Sequence, residues 1–327
     1  MNKIKVPFLD VPIIRSCNLG CGGCLTFSDN KKIKGLVNIE DSREWLEFWS
    51  SKLEPKAVTV FGGEPLLHPQ FVEWCHTLKS YWPEAELRIN TNGYYLDRLA
   101  DRIPELFNLK IIPQFIVSIQ TGHEPYYSIV KQNVEKIKLL VHEYYAGLYP
   151  RDNYRWNLWL DEPEIHKQWW RLDFKQAEET DIRITICEQF RIPWQAHYQG
   201  SAEQLAPFYS YHDQWYTENH RFCQAKNFIN LYKGKIYKCP TSAVLGHTLE
   251  TFNLTDKPEW TEYLDNYDAL TVDASDEQIK KWFETQSKPE KICNMCGFSG
   301  PKYTNGHLNR HELKEGWKFD IVPLDVI

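Results

Sequence analysis

Short runs of β-branched and apolar residues recur along the first two-thirds of the chain. They fall at Phe8–Arg15, Ala57–Phe61, Leu87–Thr91, Phe115–Ile119, Tyr154–Leu160 and Ile182–Cys187. Longer stretches between them carry helical periodicity: Ile39–Leu53, Pro69–Tyr81, Tyr95–Phe107, Pro125–Tyr145 and Glu164–Glu179. In Pro125–Tyr145 the apolar residues Ile129, Val130, Val134, Ile137, Leu140, Val141 and Tyr144 recur at three- and four-residue steps, which places them on one helix face. Six strands separated by helices predict parallel strands with right-handed crossovers, an α/β fold. Pattern alone leaves an open doubly wound sheet and a partial barrel as alternatives.

The alternation stops near Phe190, and His197–His220 is polar, aromatic and irregular, as a linker would be. Phe228–Tyr232 and Lys235–Cys239 are strand-like runs joined by Lys233-Gly234, which predicts a β-hairpin. Ser275 with Gln278 is a candidate capping box opening a helix through Trp282 and Phe283. No internal repeat or low-complexity tract is present.

The 327 residues suffice for two domains, and 42% hydrophobic against 25% charged residues predicts a packed core. A net charge of −6 argues against a broad nucleic-acid or anionic-membrane footprint. No apolar run is long enough to span a bilayer, and the first residues carry no signal-peptide pattern. A cytoplasmic location is therefore expected. There, nine cysteines read as metal ligands or buried apolar residues rather than as disulfides.

Cys17, Cys21 and Cys24 follow the first strand as Cys-x-x-x-Cys-x-x-Cys. Three thiolates on one loop can hold three corners of an iron–sulfur cubane, and soft thiolates also suit zinc. A closed structural site has four protein ligands, whereas a reactive one keeps a position open. The alternative is a zinc loop completed by a distant His or Cys. The second strand ends in Phe61-Gly62-Gly63-Glu64-Pro65, where two glycines let backbone approach a ligand and a carboxylate follows at once.

Together these motifs resemble the radical S-adenosylmethionine (SAM) superfamily, over about residues 8–190. The resemblance implies a partial (β/α)6 barrel in which the three cysteines bind a 4Fe–4S cluster. The open iron then chelates SAM, and Gly62, Gly63, Glu64 and Pro65 form the segment that contacts the SAM amino group. It also implies reductive cleavage of SAM to a 5′-deoxyadenosyl radical that takes a hydrogen atom from substrate. Asn90 and Asn92 match the strand end beside the SAM ribose, and Ser118 matches a SAM-contacting serine. Gln120 stands where many relatives carry Asp. Lys131 is a candidate partner of the SAM carboxylate, with a solvated helix lysine as the alternative. Ile184 is a candidate adenine contact, with plain core as the alternative. Gly23 departs from the family, whose members usually place an aromatic residue before the third cysteine.

Cys223 and Cys239 flank the hairpin, and Cys293 and Cys296 form Cys-Asn-Met-Cys. Their layout resembles the twitch domain, a short form of the SPASM domain, and implies an auxiliary 4Fe–4S cluster. A zinc ribbon is the alternative. The expected division is a radical SAM core over 1–200 and a small α+β twitch-like domain over 201–327. Cys75, in an amphipathic helix, and Cys187, at a strand end, read as buried small hydrophobes.

A cluster fully ligated by protein suits electron transfer. The resemblance therefore implies a radical SAM oxidoreductase that oxidises a sugar- or cyclitol-like small molecule, served by a flavodoxin- or ferredoxin-type donor. Proton loss needs a base. His123 is one candidate, with Tyr94 and Arg183 as further cavity-lining residues. Trp156, Trp159, Trp169 and Trp170 can wall a sugar or peptide site or simply pack helix against strand. A second reading is a peptide maturase forming a crosslink or epimer. Those often carry a leader-peptide-binding domain before the first strand, for which a cysteine loop starting at residue 17 leaves little room. A third is a glycyl-radical activase, and a non-enzymatic one is a zinc-stabilised binding module.

Overall fold

The structure is a computed structural model. It describes residues 2–21, 24–102, 105–106, 114–120, 124–146, 154–162, 167–174, 184–190, 198–199, 202–207, 217, 220–221, 223, 228–265, 267 and 269–295. At 145–146, 154–162, 167–174, 184–190 and 198–199 it describes the backbone alone.

The first half follows the predicted alternation. β1 (Ile4–Ile14) leads to α1 (Arg43–Lys52), β2 (Leu53–Gly62), α2 (Phe71–Tyr81), β3 (Glu86–Thr91), β4 (Gln114–Ile119) and α3 (Tyr126–Ala146). β1, β2, β3 and β4 pair in parallel in that order. Their alternate residues Leu9, Val58, Leu87 and Phe115 are buried in one cluster with Trp49 of α1, Trp74 of α2 and Val130, Val134, Ile137 and Val141 of α3. Each such side chain contributes about 1.5–3 kcal/mol by leaving water. Several tryptophans also fix neighbouring backbone. Trp49 Nε1 donates to the Gly234 carbonyl at 2.9 Å, Trp74 Nε1 to Val37 at 3.2 Å and Trp82 Nε1 to Leu53 at 3.2 Å.

Three expectations change. Within Glu164–Glu179, predicted as a helix, the described residues 167–174 form a strand, β6 (Lys167–Phe174). It pairs antiparallel with β5 (Tyr154–Glu162) and with β7 (Ile184–Phe190). Trp, Leu and Phe at alternating positions 170, 172 and 174 fit a strand at least as well as a helix, and pairing on both sides decides it. β5 is thus an antiparallel edge strand rather than a parallel member. Tyr95–Phe107, predicted as an α-helix, contains a 3-10 helix at Leu96–Arg102.

Six neighbouring strands are nevertheless parallel, because the hairpin supplies the sixth. β8 (Tyr198–Gln199) and β9 (Ala206–Pro207) form a small separate pair. β10 (Phe228–Tyr232) lies parallel to β1, and β11 (Lys235–Tyr237) returns antiparallel along β10. The nine-stranded order is β11-β10-β1-β2-β3-β4-β7-β6-β5, an unclosed barrel whose outermost strands among the described residues are β11, bridged to Leu270, and β5.

After the hairpin come α4 (Pro240–Thr251), α5 (Pro258–Asp265) and α6 (Asp276–Glu284). The capping box at α6 forms as expected: Gln278 N donates to Ser275 Oγ at 3.3 Å, and Ser275 N donates to Gln278 Oε1 at 2.8 Å. Among the described residues no helix is long and apolar enough to cross a membrane.

Candidate active site

The C-terminal ends of β1, β2, β3 and β4 gather the cysteine loop. Cys17, Cys21 and Cys24 follow β1, all half-buried and none in a disulfide. Each is held from a different strand end. Asn92, just past β3, places Nδ2 3.9 Å from Cys17 Sγ and donates to Asn18 Oδ1 at 2.8 Å. Gln120, just past β4, has Oε1 3.4 Å from Cys21 Sγ. Cys24 Sγ lies 3.4 Å from Thr26 Oγ1, which donates to the Gly62 carbonyl of β2 at 3.2 Å.

Gly62 and Gly63 are required where they stand. An added Cβ would fall 2.1 Å from the Ile14 carbonyl oxygen at Gly62 and 2.1 Å from that of Ser16 at Gly63. The close approach seen here is therefore to the backbone entering the cysteine loop. Gly63 N donates to Ile14 O at 2.9 Å and Glu64 N to Ser16 O at 3.0 Å.

Glu64 is wholly buried. Its Oε1 accepts from Thr91 Oγ1 at 2.7 Å and from Leu66 N at 3.1 Å, and its Oε2 accepts from Asn92 N at 2.7 Å. Burial pushes its carboxyl up to about 7, against the downward pull of these donors and of Arg98. Pro65 opens the 3-10 helix that Glu64 caps. Burial also raises the Cys17 thiol well above its ordinary value, and Cys21, Glu64 and Cys24 add to the rise. Crowded thiolates of this kind are stabilised by a cationic group, so the donor set fits a metal cluster.

Residues 11–145 match the family model described as "Radical SAM superfamily". The chain carries a radical SAM domain. It is 31% identical over 102 residues to the GTP 3',8-cyclase of Helicobacter pylori, covering 29% of this chain and 30% of the relative. It is 32% identical over 108 residues to that of Microcystis aeruginosa, covering 32% of each. The match thus spans about a third of these curated relatives. Among solved structures, BtrN in complex with AdoMet and 2-DOIA aligns over 95% of this chain and 99% of its own. The identity is 14% and the TM-score 0.42.

The other residues expected to serve SAM are spread over β3, β4, α3 and β7. Ser118 is half-buried on β4, and its carbonyl accepts Gln120 Nε2 at 3.1 Å. Asn90 is half-buried on β3. Tyr94 stacks parallel on Tyr126 with centroids 6.3 Å apart, and its N–H donates to Asn92 Oδ1 at 3.0 Å. Lys131 is half-buried on α3. Ile184 and Cys187 belong to β7, whose backbone alone is described, and Trp156, Trp159, Trp169 and Trp170 lie likewise on β5 and β6. Gly23, His123, Arg183 and Cys296 lie outside the described residues.

Sequence reasoning missed the scaffold behind this set. Buried Tyr126 donates to the Asn92 carbonyl at 2.7 Å and accepts Gln120 N at 3.1 Å, bracing both cysteine-facing residues. Asn133 Nδ2 donates to the carbonyls of Tyr94 at 2.8 Å and Gly93 at 3.2 Å. Arg15, buried just before the loop, donates from Nη2 to Thr248 Oγ1 of α4 at 2.9 Å. Burial lowers its guanidinium to about 10, while Tyr232 and Cys24 pull it back up.

Cys239 and Cys223 both lie within range of Cys293. Burial pushes Cys293 up to about 12, with Cys239, Cys223 and Glu290 adding. Cys239 is the N-cap of α4 and accepts Ser242 N at 3.4 Å; burial raises its thiol above the ordinary value, against the pull of Ser242 and Thr241. Its neighbour Lys238 pairs with Glu290 and donates to the Thr285 carbonyl at 2.9 Å, which ties the hairpin to the segment carrying Cys293. Cys75 is fully buried, as expected of a packing residue. Among the described residues no three His, Cys, Asp or Glu side chains converge as around a single metal ion.

Proposed function

We propose that this chain is a radical SAM oxidoreductase that removes two electrons from a sugar- or cyclitol-like small molecule. The supporting observation is that Cys239 and Cys223 act on the Cys293 thiol, with Cys296 three residues on in sequence, in a chain that also carries the three-cysteine loop. When bound, SAM on the first cluster supplies a 5′-deoxyadenosyl radical and an auxiliary 4Fe–4S cluster supplies an electron acceptor. Oxidation of a secondary alcohol to a ketone then balances: one hydrogen atom leaves to the radical, one proton to a base and one electron to the acceptor.

The chain's own part is placement. Asn92, Gln120 and Thr26 hold the three cysteines, and Glu64 with Ser118 and Asn90 lines the ground where SAM would lie. Lys131 extends that ground, whereas Ile184 opens β7 one residue before the partner of Gln114, at the opposite end of the strands, and is no adenine contact. His123 is the candidate base, with Tyr94 and Arg183 as cavity-lining residues. Residues 1–200 supply the radical and 201–327 the electron sink. A cytoplasmic flavodoxin- or ferredoxin-type protein reduces the first cluster.

A second reading is favoured by the relatives named GTP 3',8-cyclase. In it the radical closes a ring on a nucleotide. Its support is confined to the matched third of the chain.

The test replaces Cys293 and Cys296 together by Ala and measures 5′-deoxyadenosine and oxidised product in the same anaerobic reaction. The expected result is a fall of at least about tenfold in oxidised product per 5′-deoxyadenosine. An unchanged ratio overturns the electron-acceptor role.

A further inference from the structure

A cation is enclosed at the entry to the cysteine loop. Arg15 stands two residues before Cys17 and is 1% exposed. Its backbone is fixed by the N–H, which donates to the Gly35 carbonyl at 2.7 Å. On the guanidinium, Nη2 donates to Thr248 Oγ1 of α4 at 2.9 Å, while Nε and Nη1 are buried and find no hydrogen-bond partner. Thr248 is a neutral hydroxyl that itself donates to the Val244 carbonyl at 2.9 Å. α4 therefore holds the Arg15 side chain in place without offsetting its charge.

Taking a charge out of water is costly unless an opposite charge lies beside it. A guanidinium cannot avoid that cost by giving up its proton. Two neighbours favour the charged form, the Tyr232 hydroxyl and the Cys24 thiol, and no carboxylate is among them. Burial raises Tyr232 above its ordinary range, so at neutral pH it carries no charge. His247 also faces Arg15, but it could add only positive charge, and burial with Arg15 and Lys233 keeps its ring neutral. Among the described residues, Cys24 is thus the neighbour that turns anionic, and it does so as a ligand, because a thiol must lose its proton to bind a metal.

A cluster held by Cys17, Cys21 and Cys24 carries the charge of three thiolates and becomes more negative when it takes up an electron. A fixed cation beside it, in surroundings that screen poorly, favours the reduced form over the oxidised one. Arginine suits the place better than lysine, since a guanidinium is the more weakly hydrated cation.

We propose that Arg15 is the built-in counter-charge of the first cluster and raises its reduction potential. Arg15 acts on the cluster through Cys24, and Thr248 of α4 positions it, so the C-terminal part of the chain helps to set the potential of the N-terminal site. The inference needs the first cluster alone and is independent of the substrate and of the second cysteine set.

The test is an anaerobic redox titration of the iron-loaded full chain, followed by electron paramagnetic resonance, with thermal melts to show that each variant folds. The first cluster is recognised by the change in its signal when SAM is added. Arg15→Met removes the charge and keeps most of the volume. Its midpoint is expected to fall by about 59 mV or more, a tenfold loss in the one-electron reduction equilibrium. Arg15→Lys keeps the charge, and its midpoint is expected to stay nearer to the wild type than to Arg15→Met. An unchanged midpoint in Arg15→Met overturns the proposal. An equal fall in Arg15→Lys also overturns it, since packing rather than charge would then be at work. Should Arg15→Met fail to fold or to load iron, Arg15→Gln, which still offers a donor to Thr248, carries the same expectation. Failure of both neutral variants shows a structural cation and overturns the counter-charge.

Discussion

Glu64 Oε2 accepts the backbone N–H of Asn92 at 2.7 Å, so the carboxylate ending β2 fixes the residue that faces Cys17 from β3. Glu64→Ala leaves three buried donors, on Leu66, Thr91 and Asn92, without their acceptor. A loss of about 3 kcal/mol is expected in denaturant unfolding. Glu64→Gln keeps one oxygen and is expected to lose about 1 kcal/mol. SAM binding to the cluster-loaded chain should weaken in both, and a stable Glu64→Ala protein with full SAM affinity contradicts the arrangement.

Gly63→Ala tests the seam between β1 and β2. The added methyl would meet the Ser16 carbonyl at 2.1 Å, and backbone at the foot of the cysteine loop has little room to yield. The expected result is destabilisation of about 4 kcal/mol or more, with iron loading falling alongside. A variant that melts and loads iron as the wild type does would show that the seam can open.

Tyr126→Phe removes one hydroxyl that serves both the Asn92 carbonyl and the Gln120 N–H. A cost of about 1–3 kcal/mol is expected by chemical denaturation. Because the ring remains stacked on Tyr94, the fold should persist. Loosening Asn92 and Gln120 together should also broaden the electron paramagnetic resonance signal of the reduced first cluster, and an unaltered spectrum argues against bracing by Tyr126.

The fold was legible where one period dominated. Val130, Val134, Ile137 and Val141 repeat at helical steps, and all are buried on α3. Lys167–Phe174 was not legible, because short runs of Trp and Leu serve a helix face or a strand equally, and the partner strands choose between them. The parallel pairing of β10 with β1 was equally hidden, since it joins residues about two hundred positions apart. In the site, the cysteine spacing and Gly-Gly-Glu-Pro stood out because thiolates and glycines there have few other uses. Tyr126, Asn133 and Arg15 carried no local signal, as their roles arise from packing between elements.

Asp10 gives a pH signature. Burial raises its carboxyl from 3.8 to about 7, against the pull of Thr59 and Arg88. The folded chain thus keeps a proton that the unfolded chain releases, and stability is lost as pH rises from about 4 to about 7. Asp10→Asn removes that loss. Its Tm should equal the wild type near pH 4 and exceed it by several degrees at pH 8. A constant difference across the range would show that Asp10 does not titrate in the fold.

The most direct measurement of the central claim is iron, acid-labile sulfide and zinc per full-length chain after anaerobic reconstitution. Two cysteine sets holding two 4Fe–4S clusters predict about eight irons and eight sulfides with no zinc. About four irons and four sulfides with one zinc would keep the radical SAM domain but make the C-terminal cysteines a structural clamp, contradicting an oxidation that passes its electron to an auxiliary cluster.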